Sequence, residues 1–106
     1  MFIITDTTIQ ITRGDSGYFD ITLLNADGST YAMQEGDVLE FTVKKNTKTE
    51  EVLIHKTGQN IEILPADTKN LKYGTYTYDV QFTSAVGLVD TVITPSAFIV
   101  AEEVTF

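Results

Sequence analysis

Short runs of alternating apolar and polar residues, each ended by turn-forming residues, constrain the fold of this chain more than any other feature. Between Tyr18 and Leu24, the side chains of Phe19, Ile21 and Leu23 fall on one side of an extended backbone. Similar runs lie at residues 37–45, 52–55, 60–64, 75–83, 88–93 and 98–101, with two more at 2–5 and 8–12. The spacing predicts seven to nine short strands, as in a β-sandwich or barrel.

One segment breaks the alternation. Proline suits the first turn of a helix, and Asp67-Thr68 suits an early capping turn, so we expect a short helical turn near residues 65–71. This turn would cross from one sheet to the other. A chain of 106 residues, 42% of them apolar, fits a single domain over residues 1–106. We expect residues 94–96 to interrupt the strands near the end, and the last strand to run to Phe106.

The residues that follow the helical turn narrow the fold class. A leucine, Leu71, and then Gly74, Tyr76 and Tyr78 entering a long strand are typical of the corner of immunoglobulin-like folds. There a tyrosine hydroxyl bonds back to the upstream backbone, and Tyr76 is the candidate. Tyr78 stands where antibody domains carry a cysteine, and the chain contains none. The simpler alternative is that these tyrosines are strand aromatics on a half-buried face. We expect an all-β, immunoglobulin-like antiparallel β-sandwich without its disulfide.

The same long strand offers a candidate interaction face. Tyr76, Tyr78, Val80 and Phe82 share one side, which we assign to the core. The opposite side carries Thr75, Thr77, Asp79 and Gln81. This side, or an edge formed by the terminal strands, is where a partner would bind.

The tripeptide Arg13-Gly14-Asp15 invites comparison with integrin-binding loops, which require an exposed loop tip on a secreted protein. The start of the chain lacks the basic residues and the long apolar run of a secretory signal. We therefore interpret the tripeptide as a tight turn in which Gly14 adopts an unusual φ.

The formal net charge of −8 is spread evenly along the chain. Such a balance disfavours binding to nucleic acid and to anionic membranes. No stretch approaches the length of a membrane span. We expect the protein to be made in the cytoplasm without a signal peptide.

Residues for catalysis or metal binding are scarce. His55 is the only histidine and would have to serve any Ser-His-Asp arrangement. The Glu50-Glu51 and Glu102-Glu103 pairs point to opposite sides of a strand, so neither easily chelates one ion. We expect no enzyme, no catalytic residues, no cofactor and no metal site. The alternative is a small hydrolase that uses His55.

A series of turn and strand motifs resembles a family of phage proteins. The motifs are ITRGDS (11–16), ADG (26–28) with Tyr31, EGD (35–37), VKK (43–45), IEI (61–63), PADT (65–68), YGTYTYDVQ (73–81), and FIV (98–100) near EVT (103–105). Together they are similar to the immunoglobulin-like N-terminal module of baseplate upper-protein-type tail components of phages of Gram-positive hosts. The resemblance implies a virion structural protein, and it implies no catalytic residues.

This resemblance leads to an expected function. The chain would be a non-catalytic assembly module in the tail, baseplate or neck of a phage or prophage particle. It would bind other virion proteins or copies of itself, as a homo-oligomer in the particle, and would reside in the virion. The alternative is a carbohydrate-binding or adhesion module. Tryptophan is absent, and only Tyr18, Tyr31 and Tyr73 are expected outside the core for stacking on a sugar.

Overall fold

The structure is a computed structural model that describes residues 2–5 and 7–102. These residues form eight strands and one short helix. The strands are β1 (Phe2–Thr5), β2 (Thr8–Thr12), β3 (Gly17–Asp20), β4 (Val38–Lys44), β5 (Ile54–Thr57), β6 (Asn60–Ile63), β7 (Gly74–Thr83) and β8 (Val89–Ala101), and the helix is α1 (Pro65–Thr68). The number of strands lies within the predicted range. The prediction that the last strand continues to Phe106, and the Glu102-Glu103 pair, reach beyond the described residues.

The strands form an all-β, sandwich-like fold with two sheets of unequal size. The larger sheet has the strand order β1-β2-β8-β7-β4-β5, and the smaller contains β3 and β6. β2 and β8 pair in parallel, while the other pairs are antiparallel. The expectation of a wholly antiparallel sandwich is therefore wrong for this pair. Alternation specifies which side of a strand is buried and says nothing about the direction of its neighbour.

A continuous hydrophobic core lies between the two sheets. The ring of Phe41 on β4 is at its centre, 5.5 Å from the ring of Phe19 and 5.2 Å from that of Tyr78, measured between centroids. Val80 on β7 and Phe98 on β8 are fully buried beside it. The predicted core face of β7 is thus confirmed, and the alternating run at residues 37–45 likewise has its apolar residues on the buried side of β4.

Strand β8 differs from its prediction. It runs without a break through residues 94–96, which we expected to interrupt it. Tyr78 is opposite Ser96 while Val80 is opposite Ile93, so Thr94 and Pro95 bulge out opposite a single residue of β7. Proline lacks the N–H that a regular ladder needs, and a bulge is one of the few strand positions that tolerate it.

Helix α1 occupies the segment predicted to be helical. Pro65 stands in its first turn, and the Asp67 carboxylate accepts a hydrogen bond from the Leu64 N–H at 2.7 Å. The helix leads from β6 in the smaller sheet to β7 in the larger one, which confirms the predicted crossing.

Candidate protein-interaction site

The turn between α1 and β7 is closed by a tyrosine. The Tyr76 hydroxyl donates a hydrogen bond to the backbone carbonyl of Lys72 at 2.7 Å. Gly74 has a φ of 147°, and Leu71 packs against the core. Tyr78 is 3% exposed and donates from its hydroxyl to the Thr7 carbonyl. Burial raises the pKa of Tyr78. The hydroxyls of Tyr76 and Tyr78 therefore bond this strand to two backbone carbonyls, and Leu71 adds an apolar contact.

The Arg13-Gly14-Asp15 tripeptide forms a turn between β2 and β3. Gly14 has a φ of 85°, a value that favours glycine, and the Asp15 N–H donates to the Thr12 carbonyl at 3.0 Å. The Arg13 guanidinium lies 4.4 Å from the centre of the Tyr73 ring. All three residues of the turn are half-buried, so they do not form the protruding tip that an integrin ligand needs.

A buried hydroxyl connects this turn to α1. The Gly14 N–H donates to Oγ1 of Thr68 at 2.9 Å, and Thr68 is completely buried. It is the one buried polar side chain among the described residues. The contact joins a turn and a helix that are far apart in sequence.

The predicted interaction face is divided by the structure. Thr77, Asp79 and Gln81 line a shallow polar groove of about 300 Å³ on the outer face of the larger sheet, together with residues such as Thr42 and Lys44. Thr75 lies outside this groove, in a separate depression beside Tyr73 and Tyr76. The first and last strands do not form the predicted common edge. β1 is at the edge of the larger sheet, whereas β8 lies inside it, between β2 and β7.

The side of the sandwich beside β3 is open. β3 pairs with β6 on one side, where the Ile21 N–H donates to the Gln59 carbonyl at 2.7 Å. Because backbone groups alternate between the two sides of an antiparallel strand, the N–H and C=O groups of alternate residues point the other way. These residues are Tyr18 and Asp20 in β3, and Thr22 and Leu24 in the chain that follows it. Leu24 forms an isolated antiparallel bridge with Thr30, but the hydrogen bonds of that bridge are made by Leu23 and Asn25. Within residues 2–5 and 7–102, no backbone hydrogen bond from the N–H or C=O groups of these four residues is found. We call this row the β3 edge.

Two adjoining apolar clefts lie next to the β3 edge. The first, of about 320 Å³, separates the edge from the hairpin of β1 and β2 and includes Ile4 and Ile93. The second, of about 420 Å³, includes Leu24 and Phe82. Thr22 and Val92 line both clefts. The clefts exist because a sheet of two strands covers only part of a sheet of six.

Some large apolar side chains are exposed. Leu24, which lines the second cleft, is 65% exposed, and in the loop between β7 and β8 Val86 is 84% and Leu88 72% exposed.

Acidic groups surround the β3 edge. The Tyr18 hydroxyl lies close to Asp20 and Glu62, which raise the pKa of Tyr18, with the hydrogen bond to Asp20 as the main cause. Asp20 lines the first cleft and Asp90 the second. No lysine or arginine lines either cleft among the described residues.

Asp37 holds together two loops next to the second cleft, those that contain Tyr31 and Ala85. The Asp37 carboxylate accepts hydrogen bonds from the Tyr31 hydroxyl at 2.6 Å, the Gln34 N–H at 2.8 Å and the Ala85 N–H at 2.9 Å. These bonds, that of Tyr31 above all, lower the pKa of Asp37. The Tyr31 ring packs edge-on against Phe82 at 5.7 Å. Tyr31 is thus half-buried and packs against the core without being one of its buried residues.

The side chains considered for catalysis are dispersed. His55 lies 4.0 Å from Glu40, and both side chains are slightly less than half exposed on the larger sheet. Within residues 2–5 and 7–102, no group of three or more histidine, cysteine, aspartate or glutamate side chains could hold a metal ion. In the same part of the chain, no helix has the length and hydrophobicity to cross a bilayer.

Sequence reasoning missed the β3 edge and its clefts. The alternation at residues 18–24 marks a strand, but it carries no information on how many neighbours that strand has. The one available signal is composition, because residues 18–24 contain neither the lysine nor the proline that commonly protects an edge strand.

No protein-family model matches the chain, and no curated protein matches it significantly.

Proposed function

We propose that the chain is a non-catalytic assembly module that binds other proteins of a phage or prophage particle. The observation that carries the proposal is the open side of the sandwich, where the β3 edge adjoins two apolar clefts. Exposed strand edges and apolar clefts are the means by which many β-domains hold a neighbouring protein. The motif resemblance to baseplate upper-protein-type modules supplies the particle as the setting.

An immunoglobulin-like topology is part of the proposal. In the variable type of that fold, strands G, F, C and C′ are neighbours in one sheet, and strands B and E are neighbours in the other. Here β8, β7, β4 and β5 follow one another in the larger sheet, and β3 pairs with β6. The bond from Tyr76 to Lys72, just after the crossing from β6 to β7, also supports this assignment.

Purified particles test the function. We would induce the prophage or propagate the phage that carries the gene, purify the particles on a density gradient, and identify their proteins by mass spectrometry. We expect the chain to co-purify in constant proportion to the major tail proteins. Its absence from particles that contain their other structural proteins would contradict the proposal.

A carbohydrate-binding role is the second candidate, and the polar groove on the outer face favours it. Thr77, Asp79 and Gln81 present hydroxyl, carboxylate and amide groups there, the types that bind sugar hydroxyls. The exposed aromatic residues Tyr18 and Tyr73 lie outside this groove, so it lacks a stacking platform. A glycan array and a cell-wall pull-down would test this role, and binding abolished by Asp79→Ala would establish it.

A further inference from the structure

We propose that the β3 edge binds an extended segment of another protein, which joins the smaller sheet as an added strand. One face of the segment carries apolar side chains, and the other carries lysine or arginine. This inference depends on the proposed function, because it specifies how the assembly module holds its partner.

The backbone of the β3 edge is ready for pairing. Tyr18, Asp20, Thr22 and Leu24 present N–H and C=O groups at regular intervals over about 20 Å. An antiparallel or parallel strand placed beside them would complete a ladder of main-chain hydrogen bonds. Residues 17–24 lack the proline and lysine that most often protect an edge strand, and Asp20 is their one charged residue.

The clefts define one face of the added strand. Ile21 and Leu23, which follow β3 directly, are buried in the core, so alternate side chains of a strand paired beside them would point to the same side. Those side chains would enter the clefts lined by Ile4, Ile93, Leu24 and Phe82. Aliphatic side chains match such linings.

Charge defines the other face and disfavours a second copy as the occupant. Asp20 and Glu62 are exposed on the outer side of the smaller sheet, and Asp20 lies on the strand that would be paired. Basic residues on the outer face of an added strand would pair with this carboxylate. A second copy of this chain carries a net charge of −8, which repels an acidic surface.

Amide hydrogen exchange with designed peptides tests the inference. The probe is a nine-residue peptide of alternating valine and lysine, and two matched peptides replace lysine by glutamate or place proline at the centre. With the valine-lysine peptide at about 1 mM, we expect slower exchange of the Tyr18, Asp20, Thr22 and Leu24 amides. The Ile21 amide, already bonded to Gln59, serves as an internal control and changes little.

Two variants locate the binding. Thr22→Pro removes one N–H from the β3 edge, and Thr22→Ala is its matched control. Asp20→Lys reverses a charge at the edge, and Glu51→Lys makes the same change at an exposed position elsewhere. We expect the proline and Asp20→Lys variants each to weaken peptide binding about tenfold, and the controls to bind as the unmodified chain does. Circular dichroism verifies that each variant is folded.

Three results would overturn the inference. Unchanged exchange at the edge amides with the valine-lysine peptide excludes strand addition, and equal protection by the valine-glutamate peptide excludes the charge preference. Protection that rises with protein concentration alone identifies a second copy as the occupant. Particle incorporation separates the two proposals. If the unmodified chain and Thr22→Pro enter particles equally, this inference fails and the proposed function stands; if the unmodified chain is absent, the proposed function fails.

Discussion

The ring of Phe2 on β1 occupies the space that a side chain at position 17 on β3 would need. A Cβ added to Gly17 would lie 2.3 Å from the nearest ring atom of Phe2. The same ring stacks on Phe19 at 6.1 Å. The residue at position 17 therefore decides how closely the hairpin of β1 and β2 approaches the smaller sheet.

Gly17→Ala tests this relationship. We expect the substitution to lower the free energy of unfolding by about 1–3 kcal/mol, because it displaces Phe2 and disrupts its stacking on Phe19. Chemical denaturation measures the loss. In the Phe2→Ala background the same change should cost much less, and equal costs in both backgrounds would contradict the contact.

Tyr76→Phe tests the corner hydrogen bond. Loss of the bond from the hydroxyl to the Lys72 carbonyl should destabilise the protein by about 1 kcal/mol in chemical denaturation. Tyr73→Phe is the matched control. The ring of Tyr73 contacts Arg13, but among the described residues its hydroxyl group makes no hydrogen bond. If both variants are equally stable, the hydroxyl of Tyr76 does not hold the corner.

Thr68→Val tests the buried contact between α1 and the turn at Gly14. Valine has nearly the same shape but leaves the Gly14 N–H without its acceptor, so we expect a loss of about 1–3 kcal/mol. Thr68→Ser retains the hydroxyl and should preserve the bond, which is visible as slow exchange of the Gly14 amide. Fast exchange in the serine variant, together with unaltered stability of the valine variant, would refute the role of this hydroxyl.

The Asp37 cluster predicts a pH dependence of stability. The pKa of Asp37 is lowered in the folded protein, so its stabilisation is present above the unfolded pKa, near 4, and is lost as the pH falls through the folded pKa. Tyr31→Phe removes the main cause of the lowering. The variant should be less stable than the unmodified protein at neutral pH, and the difference should shrink in acid.

Two measurements verify the Asp37 prediction. The unfolding free energies of the variant and the unmodified protein are compared at neutral and acidic pH. A carbon-13 NMR titration of the Asp37 carboxyl group should show a higher pKa in Tyr31→Phe. A difference in stability that is constant with pH would show that the bond from Tyr31 does not act through the charge of Asp37.

The sequence predicted those parts of the fold that depend on local periodicity and turn chemistry. The buried side of β4, from Leu39 to Val43, follows from alternation, and α1 follows from Pro65 and Asp67. The strand number and the position of the helical crossing were predicted for the same reason. Each depends on a residue and its near neighbours in the chain.

Long-range relationships could not be predicted in this way. The parallel pairing of β2 with β8, the bulge at Thr94 and Pro95, and the contact of Tyr31 with Phe82 depend on residues distant in sequence. The candidate site is of the same kind, because the β3 edge is defined by a neighbour that the smaller sheet lacks. The polar groove was predicted in part, because Asp79 and Gln81 were expected to share one face of a strand. Its shape could not be predicted, since Thr42 and Lys44 of β4 also line it.

The central place of β8 has a consequence for the order of folding. Ile9 pairs with Phe98, so β2 finds its inner neighbour only after most of the chain has emerged from the ribosome. The pairing of β2 with β8 closes a loop that contains most of the chain, and closing so long a loop is slow. A nascent chain that ends before Val89 would have β4 and β7 available to pair, but β7 would lack β8, its neighbour on the other side.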